Sequence, residues 1–250
     1  MPVPRPALPA LLVAAAIALA GCTSSSDKPH EPAAGQSPAA TTGAVQPTET
    51  PTTAAPTTSP TPAAPTDGFL PTALVPGLNQ GWHWQDGTSG LGDKPFGICA
   101  KADLASIGAV KVRQRTYFPP DDSDDNAAQQ VAGFADPKSA RQAWAVLDAW
   151  RGRCAATIGP KQFPKVGPEK AVPVAGDLQA RWYLVSWAPQ GDETGRFEAI
   201  GMVRDGALIT VLRITNSAQD YDYPAGREPM VAMVQRAAQR ISAGFGGSRQ

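Results

Sequence analysis

Between Thr23 and Asp67 the chain contains no Phe, Trp, Tyr, Ile or Leu, whereas all six of its tryptophans follow Gly68. A stretch built almost wholly from Pro, Thr, Ala, Ser and Gly cannot bury enough apolar surface to offset the entropy of ordering it. Residues 23–67 therefore read as a disordered stalk. A flexible coil of that length reaches roughly 35 to 40 Å, and prolines stiffen it further. Only residues 68–250 can fold, and they are numerous enough for one domain with a real core.

The stalk begins where an export signal ends. Arg5 precedes an apolar run from Ala7 to Ala20, the charged and hydrophobic parts of a secretory signal, and the run is short for a membrane span. It closes on Leu19-Ala20-Gly21-Cys22, followed at once by the polar Thr23-Ser24-Ser25-Ser26. Small residues before a cysteine form a lipobox, so residues 1–21 read as a lipoprotein signal peptide. Cys22 reads as the first mature residue, carrying a diacylglyceryl group and usually a further acyl chain such as palmitate on its amine. At roughly 0.8 kcal/mol per buried CH₂, several chains anchor stably without a transmembrane helix. The expected location is the extracytoplasmic face of a cell membrane, within the envelope.

With Cys22 assigned to lipid, Cys99 and Cys154 remain, and in an oxidising compartment a disulfide is their expected state. The charge is balanced, with 22 basic and 22 acidic residues. This disfavours a nucleic-acid partner or a strongly basic membrane-surface binder.

Hydrophobic periodicity predicts strands at 110–118, 126–134, 179–187, 197–203 and 207–215, the last two joined by Asp205-Gly206 as a tight hairpin turn. Asp136-Pro137 supplies an N-cap and first-turn proline for a helix running through Ala140, Ala143, Trp144, Leu147 and Trp150 to Cys154. A closing helix spans 229–243, with Gly244 as its stop. The glycine-rich stretch 87–97 reads as a loop. The order predicts an α+β domain: an antiparallel sheet of about five strands packed with two main helices.

Catalytic signatures are absent: there is no Gly-x-Ser-x-Gly elbow, no His-Glu-x-x-His and no P-loop, and His83 is the one histidine after Gly68. Hydrolase and zinc sites thus lack parts, and neither enzyme activity nor a cofactor or metal is expected. The acidic run Asp121, Asp122, Asp124, Asp125 lacks the spacing and distal Glu of a calcium loop and reads as a solvated hairpin tip. The basic stripe Lys111, Arg113, Arg115, ending at Tyr117, places cations about 6.6 Å apart along one strand face, suited to a phosphate, a carboxylate-bearing wall fragment or an anionic head group. Trp144, Trp150, Trp182 and Trp187 occupy core positions. Trp82 and Trp84, around His83, are expected to be partly exposed at a ligand-stacking rim.

The stretch Phe134-Ala135-Asp136-Pro137-Lys138-Ser139-Ala140, continuing to Trp150-Arg151-Gly152-Arg153-Cys154, resembles the extracellular sensor domain of actinobacterial PknH-type receptor kinases, a family that includes free-standing lipoproteins. The resemblance implies an antiparallel sheet packed with helices and a cleft for a ligand. Only one cysteine pair is present where that domain has two, and no kinase is attached. The expected function is a tethered, non-catalytic binding module for a small envelope-derived ligand such as a lipid, glycolipid or wall fragment. The alternative is a lipid carrier or a scaffold for cell-wall enzymes.

Overall fold

The computed structural model of the protein describes residues 68–188, 191, 194–218 and 221–245. The signal peptide, Cys22 and the stalk lie outside them. One antiparallel sheet organises the domain, built from β1 (Gln85–Leu91), β2 (Ala109–Phe118), β3 (Asn126–Phe134), β4 (Lys165–Val166), β5 (Lys170–Ala171), β6 (Gln179–Trp187), β7 (Gly195–Asp205) and β8 (Leu208–Ala218). Its order is β1-β2-β3-β8-β7-β6-β4, with β5 also pairing β6. The helices are α1 (Pro137–Gly152), α2 (Cys154–Ile158) and α3 (Pro229–Phe245).

The α+β class and the five long strands agree with the sequence reading, but the sheet has eight strands rather than about five. Strand β1 lies within the stretch read as loop. Its sequence Gln-Asp-Gly-Thr-Ser-Gly-Leu is exposed along almost its whole length, so it carries no apolar alternation and exists through its ladder to β2. That ladder shifts register between Asp86 and Ser89. Gly87 lies at the shift because a Cβ there would sit 2.4 Å from the Thr116 carbonyl oxygen.

Three finer expectations are also corrected. The β7–β8 loop is Gly206–Ala207 rather than Asp205-Gly206, since Asp205 already pairs with Leu208. Gly206 has φ 54° and takes the first central position, the II′ arrangement. Helix α1 ends at Gly152, and Cys154 opens α2. Gly244 does not stop α3, which continues to Phe245.

Side chains divide between two sheet faces, as the cross-strand pairs require. On one face Tyr117, Ala127, Trp182, Ala199, Leu212 and Ile214 pack with Met230, Met233, Val234, Ala237 and Ile241 of α3. On the other, Val112, Ala128, Tyr183, Ile200, Met202 and Val211 pack with Ala140, Ala143, Trp144 and Leu147 of α1. The Cys99–Cys154 disulfide ties the β1–β2 connection to the first residue of α2 on this second face. Helix α1 starts as its sequence dictates, with the Asp136 carboxylate accepting the Ser139 N–H at 2.8 Å.

Candidate functional site

The segment entering the domain crosses the α3 face as a strap over β2 and β3. Gln129 is fully buried there and satisfied at both ends: its Oε1 accepts the Leu70 N–H at 2.8 Å, and its Nε2 donates to the Gly68 carbonyl at 2.9 Å. The Tyr117 hydroxyl donates to the Leu70 carbonyl at 2.8 Å. Burial pushes the Tyr117 phenol well up, which keeps its proton for that bond. From α3, Arg240 Nε donates to the Phe69 carbonyl at 3.1 Å and Arg236 Nη1 to that of Leu74 at 2.8 Å.

Between strap, β1–β2 edge and α3 lies a cleft of about 700 Å³, with Phe69, Thr72, His83, Trp84, Asp86, Arg115 and Arg240 among its lining residues. Arg115 Nη2 donates to Asp86 at 2.7 Å, and its guanidinium stands 5.5 Å from the Tyr117 ring centroid. The Thr72 hydroxyl also donates to Asp86. That bond above all, with Arg115 adding, holds the Asp86 carboxyl below its usual range. Trp84 is locked by donating Nε1 to the Pro76 carbonyl at 2.7 Å. Two guanidiniums, Arg115 and Arg240, and one carboxylate, Asp86, are among the lining residues, and Phe69 adds apolar surface over the buried Trp84.

The structure thus brings together one member of each group singled out in the sequence, Arg115 and Trp84. The rest of the basic stripe does not join them. Lys111 is exposed away from the cleft; Arg113 is half-buried, with an Nε that meets no hydrogen-bond partner; and Tyr117 lies beneath the strap at 0% exposure. Even spacing along a strand places residues on one face but does not say how much of it another segment covers. Trp84 is corrected from a partly exposed rim residue to a buried one at 6%. Half-buried Trp82 meets it edge-on, with centroids 5.3 Å apart and planes at 72°. Thr72, Asp86 and Arg240 carry no sequence signal, since each is an ordinary polar surface residue until the strap and helix converge.

A groove of about 760 Å³ runs between Pro173–Ala175 and α3, with no charged side chain lining it among the described residues. The acidic tip is tied into the fold at two points: Asp125 accepts the Ser217 N–H at 2.9 Å, and Asp124 faces Arg196 at 3.6 Å. Among the described residues no group of three or more His, Cys, Asp and Glu is placed to hold a metal. No described helix is long and apolar enough to cross a membrane.

No family model and no curated protein matches the chain. Among solved structures, the extracellular domain of PknH from Mycobacterium tuberculosis is similar at 14% identity and TM-score 0.30, over 62% of this chain and 85% of that one.

Proposed function

We propose that the protein is an extracytoplasmic lipoprotein, held at the outer face of a membrane through lipidated Cys22, whose domain binds a small anionic envelope ligand in the Arg115 cleft without chemistry. The observation that carries this reading is the pair of guanidiniums, Arg115 and Arg240, lining one cleft with Trp84 and Phe69. Planar, permanently charged forks suit carboxylate and phosphate, and aromatic surface suits the apolar face of a sugar. The disulfide fits an oxidising compartment, and the Leu19–Cys22 sequence fits lipid attachment.

The carrier alternative needs an apolar cavity. The void beside the disulfide, lined by Phe96, Leu147, Ile200 and Met202, measures about 20 Å³. That is room for a water and not for an acyl chain, so a carrier would have to use the open groove of about 760 Å³ along α3, which Val174, Ala238 and Ala243 line together with Gln235 and Gln239.

Titrating the full chain with N-acetylmuramic acid and with glycerol phosphate, followed by tryptophan fluorescence, tests the cleft. A saturable change that Arg115→Ala weakens tenfold or more, and that neutral N-acetylglucosamine does not produce, is expected. An equal response from the neutral sugar, or an unaltered Arg115→Ala titration, rejects the site. The anchor is tested separately by Cys22→Ser, expected to move the protein from the membrane fraction to the medium or leave it unprocessed; unchanged fractionation and unchanged mass reject it.

A further inference from the structure

On the opposite sheet face, at the end of the strands nearest the acidic tip, a pocket of about 270 Å³ is lined by Glu198, Trp187, Thr215, Ser217, Arg196, Asp124 and Ile98, among others. Glu198 is 3% exposed. Its Oε1 accepts the Ile98 N–H at 2.6 Å, a contact made possible by Gly97 at φ 89°, where a Cβ would sit 3.0 Å from that oxygen. Burial pushes the Glu198 carboxyl upward, against a smaller opposing effect of Arg213. Arg213 does not pair with it: the guanidinium donates instead to Asn126 Oδ1 at 2.8 Å and lies 5.3 Å from the Phe96 ring centroid. The other cation present, Arg196, is engaged at the rim by Asp124 and the Ser217 hydroxyl.

A carboxylate withdrawn from water without an ion-pair partner is costly, and here it faces a cavity. We propose that this pocket binds a small primary ammonium ligand, with Glu198 as its counter-charge. The surroundings suit that ion. Trp187 puts an aromatic ring in the lining, to which a cation is attracted, and the Thr215 hydroxyl, which donates to the Asn126 carbonyl at 3.3 Å, keeps lone pairs to accept an N–H. The volume lies just below that of drug-sized sites, which restricts the ligand to an amine on a short alkyl stem, as on the side chain of a diamino acid. A carboxylate or phosphate would meet Glu198 with like charge. This pocket and the Arg115 cleft lie on different faces, and neither proposal depends on the other.

Saturation-transfer NMR of the full chain in detergent micelles, with n-butylammonium as probe and n-butanol and butyrate as controls, tests the assignment. Saturable transfer to butylammonium alone is expected, weakened at least tenfold by Glu198→Gln and a few-fold by Trp187→Leu, with Arg115→Ala indistinguishable from the parent. If Glu198→Gln does not fold, Trp187→Leu decides the matter. Equal transfer to butanol or butyrate, or butylammonium affinity unaltered in the folded Glu198→Gln or Trp187→Leu chain, overturns the proposal.

Discussion

The two faces of the sheet are closed by different physics. Under α3 the contact is apolar, with Met230, Met233, Val234, Ala237 and Ile241 all at 0% exposure. The helix rests so near β7 that a Cβ on Gly201 would stand 2.5 Å from Met230 Sδ and Val234 Cγ2. The α1 face adds a covalent link and charges. Arg181 lies 4.0 Å from the Trp144 ring centroid, donates to Glu169 at 3.0 Å and pairs with Asp148, while Arg151 reaches Glu169 at 3.7 Å. Where α3 meets the strands it is held by shape, its hydrogen bonds from Arg236 and Arg240 going to the strap, whereas the α1 layer adds bonds that chemistry or pH can undo.

The largest expected effect is on the bonded face. Replacing Cys99 and Cys154 together by Ser removes a closure across 55 positions, worth about 4 kcal/mol as an upper figure, read by urea denaturation. On the shape-closed face, Met233→Ala empties a fully buried site and is expected to cost about 3 kcal/mol. A Met233→Ala loss larger than the cysteine loss would reverse the ranking of the two faces. Gly201→Ala asks the opposite question of α3, since overpacking costs about 1–3 kcal/mol; a neutral result would mean that the helix lifts freely and that close fit is not what holds it.

The smallest effect is a slope. Because burial raises the Glu198 carboxyl above its ordinary 4.5, the folded state keeps that proton longer than the unfolded chain. Its contribution is present in full below 4.5 and lost as pH rises through the folded value. Asp125 and Asp148, also raised by burial, act in the same direction. Glu198→Gln should therefore flatten, without abolishing, the fall in stability over that window. An unchanged slope would remove Glu198 from the set of groups that make this face sensitive to pH.

Legibility in the sequence followed these differences. Strands β3 and β6 run over the predicted residues because the turn formers at 119–125 let β3 pair back on β2 and because β6 is a short run, apolar on both faces, that suits a covered strand, and the start of α1 is written in Asp136-Pro137. Strand β1 has no such pattern, and two-residue strands such as β4 exist only where β6 holds them. Within the cleft, Arg115 stood out through its neighbours at alternating positions. Arg240 did not, because a surface arginine on a helix becomes a wall only when a distant segment is laid against it. Trp84 was misread because the neighbouring sequence lacks the periodicity that announces burial, which comes from the strap and the Pro76 carbonyl.

The strap is gripped chiefly through its backbone, by Gln129, Tyr117, Arg236 and Arg240, with Leu70 as its fully buried side chain. Phe69, Pro71 and Ala73 are therefore free to vary at small cost to folding while still lining the cleft. A lineage could retune what the cleft prefers by exchanging these residues, leaving the grip and the sheet beneath it untouched.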